Sequence, residues 1–256
     1  MLFRSHYQPQ VELGTQRVIG AEALARWQHP KRGLLPASEF IPLAEATGLI
    51  TLLGKWAMRE ACRQTASWQQ AGADDLRIAV NVAAHQFQQE DFVKMVADIL
   101  AETSLPPSSL ELEITETSIM QNPEQVITIL SELKELGVSI AIDDFGIGYS
   151  SLMYLKRFPI DRLKIDRMFV NDSTTDPDDA ALVMTIITMA HNLRLNVMAE
   201  GVETEEQLKF LRLLKCDEGQ GYFFAKPVPP EVFLATARKI GAHNLNPQLS
   251  LAHEYS

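Results

Sequence analysis

The chain has 256 residues, of which 46% are hydrophobic, and a formal net charge of −10. That length suits one large domain with ample material for a core, and the acidic balance argues against gripping long nucleic acid by phosphate neutralisation. No apolar run approaches the roughly 18 residues of a membrane helix, no basic-then-apolar leader is visible, and Cys62 and Cys216 stand alone without CxxC or Cys/His spacing. Direct membrane insertion is therefore not expected, and a reduced, cytoplasmic compartment is.

Apolar β-type runs alternate with longer helical patterns along the chain. A first strand is expected around Phe3–Leu13, and only Gly14-Thr15-Gln16-Arg17 separates it from a second at 18–24. Four residues are too few for a parallel crossover and suit a hairpin, so the first strand is expected to run antiparallel. Helices at 38–48 and 50–72 follow, then strand 77–82, helix 90–103, strand 109–115, helix 123–136 and strand 138–143. Strand 162–166, helix 178–193, strand 195–200, helix 203–214, strand 218–223 and helix 230–240 complete the series. Ser38 and Glu231 suit helix starts. Such alternation implies a parallel sheet with its connections packed outside. So many units favour closure: the expected fold is α/β, a modified TIM (β/α)8 barrel with an antiparallel first strand. No linker divides residues 3 to 240, so 1–240 reads as one domain and 241–256 as a flexible C-terminal tail.

The chemistry lies at the strand ends. Glu22, Asn81, Glu113, Asp143, Lys164 and Glu200 each close or interrupt a short apolar run, and groups at the C-terminal ends of barrel strands converge on one face. The adjacent carboxylates of Asp143 and Asp144 repel one another, which a divalent cation relieves. Oxygen donors suit Mg²⁺ or Mn²⁺, and two such ions about 3.5–4 Å apart can clamp a phosphodiester and its attacking water. Asn81 offers an oxygen without adding negative charge. Lys164 is suited to orienting the water or stabilising developing charge, or else to a structural ion pair with Asp166 or a glutamate. Glu200 is suited to metal ligation, to general-base work, or to both. Arg26, four residues after Glu22, suits a phosphate oxygen. The histidines form no close ligand pattern.

Several runs, taken together, resemble the EAL domain family, the phosphodiesterases of cyclic di-GMP. They are Glu22-Ala23-Leu24-Ala25-Arg26-Trp27, Tyr7-Gln8-Pro9, Asn81-Val82, Glu113-Ile114-Thr115-Glu116, Asp143-Asp144-Phe145-Gly146, Lys164-Ile165-Asp166, Glu200-Gly201-Val202-Glu203 and Gln220-Gly221-Tyr222. The resemblance implies one ion on Glu22, Asn81, Glu113 and Asp143, and a second on Asp143, Asp144 and Glu200; Ca²⁺ is expected to inhibit, because its larger and looser coordination sphere positions water poorly. It favours Lys164 as the residue that orients the water. Gln8, Leu24, Arg26 and Gln220 correspond to substrate-binding positions, and Asp166 and Glu203 to outer positions behind the ligands. The loop from Phe145 to Ser151, with Gly146 and Gly148, is expected to couple a homodimer interface to the metal site, anchored by Glu116. The chain departs from the usual pattern at Ala46, Ala83 and Ile147, none of them a ligand position.

The resemblance implies hydrolysis of cyclic di-GMP to linear pGpG by what reads as the excised catalytic domain of a bacterial signalling protein. The competing class is a non-catalytic cyclic di-GMP receptor that signals to a protein partner. Such receptors typically lose metal ligands, whereas every ligand position is filled here. A third reading is a metal phosphodiesterase acting on another nucleotide.

Overall fold

The computed structural model describes residues 2–120, 122–148 and 152–243. Tyr149, Ser150 and Ser151 of the glycine loop, and residues 244–256 of the expected tail, lie outside the described residues.

Nine strands form one sheet among the described residues: β1 (Phe3–Glu12), β2 (Val18–His29), β3 (Gly33–Pro36), β4 (Arg77–Val82), β5 (Leu110–Thr115), β6 (Ser139–Phe145), β7 (Arg162–Ile165), β8 (Asn196–Ala199) and β9 (Glu218–Gly219). Their order is β1-β9-β8-β7-β6-β5-β4-β2-β3, and β1 also pairs with β2, which closes eight strands into a barrel and leaves β3 outside. As the short connection requires, five residues (13–17) in the structure, β1 is antiparallel to β2, with Glu12 N donating to Arg17 O at 3.0 Å. The consecutive pairs from β4 to β9 are parallel. This is the modified TIM barrel that the sequence implies.

Helices α1 (Ile41–Ala46), α2 (Ile50–Gln70), α3 (Ala84–Phe87), α4 (Phe92–Thr103), α5 (Glu116–Ile119) and α6 (Pro123–Leu136) alternate with the first strands. Helices α7 (Leu152–Leu155), α8 (Arg167–Asp172), α9 (Pro177–Asn192), α10 (Glu205–Leu213) and α11 (Pro230–His243) follow. The longest, α2, buries Met58, Ala61, Cys62, Thr65 and Ala66, the three-and-four spacing of a helix with one face on the core. Thr204 and Gln207 cap α10 reciprocally.

Some expected boundaries are corrected. β2 runs on to His29 because its distal half pairs with β3, which was not expected. β9 keeps ladder pairing only at 218–219, since Tyr222 and Phe223 turn away beside the cleft. The expected helix at 38–48 is a 3₁₀ turn followed by α1, broken after Ala46. One-turn helices such as α3, α5 and α7 are too short to leave a periodic signal. α11 crosses the expected boundary at 240.

The barrel interior is polar. Side chains on a strand alternate between its faces, and on β5 and β7 the apolar set Leu110, Leu112, Ile114, Leu163 and Ile165 belongs to the hydrophobic core. The other set, Glu111, Glu113, Arg162 and Lys164, is buried and meets across the barrel axis. In the lower layer Arg162 is ion-paired with Glu111 and, at 2.9 Å, with Glu218, which also takes Arg77 at 3.0 Å. Two guanidiniums thus face two carboxylates, and the layer is balanced. Removing one member of a buried ion cluster strands the others in low dielectric. Arg162→Ala is accordingly expected to lower unfolding free energy by about 3–5 kcal/mol, read from urea denaturation midpoints. An unchanged midpoint would remove the lower layer from the account of stability.

Candidate active site

One layer above, Lys164 is wholly buried, and its Nζ lies 2.9 Å from Glu113 Oε2, 3.1 Å from Asp143 Oδ1 and 2.6 Å from Glu200 Oε1. β5, β6, β7 and the end of β8 each deliver one of these groups. Of the alternatives open for Lys164, the pairing with Asp166 is not made. Asp166 instead caps α8, accepting from Met168 N at 2.7 Å. Glu22 joins from β2: its Oε1 accepts from Asn81 Nδ2 at 2.6 Å and its Oε2 from Gln220 Nε2. Gln220 also donates to Gln8 Oε1 at 3.1 Å, and Gln8 donates to Ala225 O at 3.1 Å.

Asp143, Asp144 and Glu200 bring carboxylate oxygens within 4.8 Å of one another. Asp144 owes its direction to a left-handed backbone, φ +55°, a conformation aspartate tolerates better than most residues. The ladder to β7 is interrupted between Ile142 and Phe145, and such bulges re-aim side chains beside sites. Beyond it, Gly146 N and Gly148 N donate to Glu116 Oε2 at 2.9 and 3.3 Å. A β-carbon at Gly148 would stand 2.9 Å from Glu116 Oε1, so the approach needs the glycine.

The electrostatics follow from crowding. Burial, opposed by Lys164 but aided by Glu22 and Asp143, holds Glu113 well above the usual carboxylate range. Burial and the Asp143 charge push Glu200 up to about 8 against the pull of Lys164. Asp144 is pushed up to about 6 by burial, the Asp143 charge and a hydrogen bond with Asp166. Burial pulls Lys164 down, but Asp143, Glu113 and Glu200 outweigh it and hold the ammonium well above its ordinary value. Five carboxylates here surround a single ammonium. Raised carboxylates in an all-oxygen cluster mark a place where more positive charge is favoured, and the donor set fits hard divalent cations such as Mg²⁺ or Mn²⁺.

Above the cluster opens a cleft of about 210 Å³ lined by Gln8, Glu22, Leu24, Asp143, Glu200, Glu203 and Gln220, all expected from sequence. Arg167 and Tyr222 line it too and were not expected as site residues. The signal for Arg167 was its place two residues past a strand end, at the first position of α8. Arg26 is half-buried beyond this lining; burial lowers its pKa and Glu22 opposes that, while the guanidinium donates to Ala25 O at 3.0 Å.

The EAL domain family model matches residues 2–227. The chain belongs to the EAL domain family. Among curated relatives, the bifunctional diguanylate cyclase/cyclic di-GMP phosphodiesterase MucR of Pseudomonas aeruginosa is 48% identical over 231 residues, 90% of this chain and 34% of the relative. The cyclic di-GMP phosphodiesterase NbdA of the same species is 48% identical over 224 residues, 88% of this chain and 29% of that one. This EAL chain thus spans about a third of the length of the curated relatives it matches. A solved PaMucR phosphodiesterase in complex with c-di-GMP superposes with a TM-score of 0.89 at 47% identity, covering 91% of this chain and 94% of that one. The EAL enzyme Bd1971, in its cAMP- and cyclic-di-GMP-bound form, gives a TM-score of 0.88 at 36% identity, covering 92% and 65%. No helix among the described residues is long and apolar enough to cross a membrane.

The geometry makes Lys164 the resident cation of its layer. Lys164→Met is expected to cost metal-free protein on the order of 3–5 kcal/mol, with part of the loss recovered on adding Mn²⁺. Melting curves in chelator and in Mn²⁺ test this. Equal stability of variant and parent in chelator would deny the ammonium its neutralising role.

Proposed function

We propose that this EAL domain is a metal-dependent phosphodiesterase that hydrolyses cyclic di-GMP to linear pGpG. The observation that carries the reading is the complete set of oxygen donors, Glu22, Asn81, Glu113, Asp143, Asp144 and Glu200, gathered around Lys164 under an open cleft. A receptor needs only the cleft. It has no use for five buried or half-buried carboxylates, whose crowding costs stability. The activities named for MucR and NbdA and the ligand of the PaMucR complex support the same substrate.

In this reading Glu22, Asn81, Glu113 and Asp143 hold one cation, and Asp143, Asp144 and Glu200 a second. When bound, the cations supply electrophilic stabilisation of charge on the phosphoryl oxygens. Glu200 Oε1 is committed to Lys164 at 2.6 Å; its Oε2 would be a ligand of the second cation when that cation is bound, and with one cation bound would accept the proton of the attacking water. Lys164 thereby orients the base through a fixed ion pair. The water oxygen bonds to phosphorus, the bond to the ribose 3′ oxygen breaks, and that oxygen takes up a proton to complete the 5′-phosphate product. Arg26 and Arg167 are the cations placed to meet phosphate oxygens at the rim, and Leu24, Gln8 and Gln220 shape the cleft for the dinucleotide. Asp166 stands behind Asp144 through a hydrogen bond, and Glu203 lines the cleft. Residues 1–240 form the catalytic unit of a longer signalling protein. It works as a homodimer beside the 145–148 loop, in a reducing cytoplasm that suits the free thiols of Cys62 and Cys216.

Incubation with cyclic di-GMP and Mg²⁺ or Mn²⁺, followed by chromatography, is expected to yield pGpG. Excess chelator should abolish turnover, and Ca²⁺ should bind yet inhibit because its looser coordination shell positions water poorly. Asp143→Asn should cut turnover by orders of magnitude with the fold intact, while Arg26→Ala should chiefly raise KM. Binding of cyclic di-GMP without pGpG would support the receptor instead. Full turnover in chelator would end the metal reading.

A second expectation concerns Glu116, whose carboxylate accepts from the loop backbone at Gly146 N and Gly148 N. Glu116→Ala releases Gly146 N and Gly148 N, so turnover is expected to fall by about tenfold with a rightward shift of the Mg²⁺ titration. An unchanged titration would reduce the loop to a connector.

A further inference from the structure

Asp144 is paired in neither neighbouring ladder: the β5 register ends at Asp143, and the β7 register skips from Ile142 to Phe145. Its position depends on what holds the backbone immediately after it. One support is Glu116, through Gly146 N and Gly148 N. A ring also stands against that backbone. A β-carbon built at Gly146, where φ is +103°, would stand 2.9 Å from Phe169 Cε2, 3.4 Å from its Cζ and 3.5 Å from Ile186 Cδ1. The main chain therefore lies directly against the edge of Phe169, at a distance only glycine permits. Phe169 is buried in α8, three residues after Asp166, and its N–H bonds Asp166 O at 3.2 Å. The helix that carries Asp166 to Asp144 and Arg167 to the cleft thus also carries the wall behind the loop.

We propose that Phe169 is a positioning residue for the carboxylate cluster: together with Glu116 it holds the 145–148 backbone and so sets the place of Asp144. The proposal rests on the reading of that cluster as the reactive centre. Its action is steric, since a rigid aromatic ring gives the loop one seat where a smaller side chain leaves several.

The test compares wild type, Phe169→Leu and Phe169→Ala with Phe92→Leu, a core substitution on α4 whose ring packs on Phe87. Amide hydrogen exchange on the metal-free proteins reads the 144–148 segment, and paramagnetic resonance titration reads Mn²⁺ binding without turnover. Both Phe169 variants are expected to exchange faster across 144–148 and to bind Mn²⁺ about tenfold more weakly, while Phe92→Leu changes neither. With cyclic di-GMP, kcat should fall further than KM rises. Phe169→Leu keeps the core filled should the alanine variant not fold. The proposal is overturned if exchange across 144–148 in Phe169→Leu matches wild type, or if Phe92→Leu accelerates it equally. A wild type that makes no pGpG would remove the proposed reaction, and the exchange measurement would still decide the role of Phe169.

Discussion

Charges that point into a closed barrel have to be neutralised largely by partners close at hand, because burial strips them of most of their water. The two inner layers meet this demand differently. In the lower one, Arg162 and Arg77 answer Glu111 and Glu218, two charges of each sign. In the upper one, Lys164 alone faces the carboxylates of Glu113, Asp143 and Glu200, with Glu22 and Asp144 close by. The excess appears as raised carboxylate pKa values and as a layer that admits more positive charge than the chain supplies. The lower layer is a floor; the upper one is left incomplete by design of its composition.

Topology turns that imbalance into a site. Parallel strands bring Glu113, Asp143, Lys164 and Glu200 to the same end, since each residue stands at or beside the C-terminal end of its strand. The antiparallel β1 adds Gln8 from the opposite chain direction, which a regular (β/α)8 repeat would not do. A bulge at Asp143–Asp144 then lifts the second acid out of the ladder, and the loop beyond it is fixed by side chains rather than by strand pairing.

Much of this was legible in the chain. The short stretch between β1 and β2 dictated a hairpin, and the polar endings on apolar runs identified the residues that meet, because periodicity and strand ends are local properties. What was not legible depends on contacts remote in sequence. β3 is a strand only because the distal half of β2 is there to pair with it. Arg162, Glu111 and Glu218 read as scattered charges on strands until closure sets them face to face. Arg167 offered only its place just past a strand end, and nothing local marks Phe169, since the importance of its ring comes from a glycine 23 positions earlier. The Ile147 departure falls on an exposed side chain of the same loop, away from the ring that supports Gly146.

The join between the first and last strands has a consequence for how the barrel breathes. β1 shares nine aligned residues with β2 but only two, Val11 and Glu12, with β9. Further up, main-chain contact resumes only at Tyr7 and Val228, which exchange bonds of 2.8 and 3.0 Å. Across the interval between, the stitching is done by amide side chains, with Gln220 donating to Gln8 and Gln8 to Ala225 O. Here the zipper of the barrel lacks backbone teeth and is closed by the same glutamines that face the cleft. A molecule lodged against them would act as a staple across the seam, so occupancy of the cleft and closure of the barrel are one equilibrium seen from two sides.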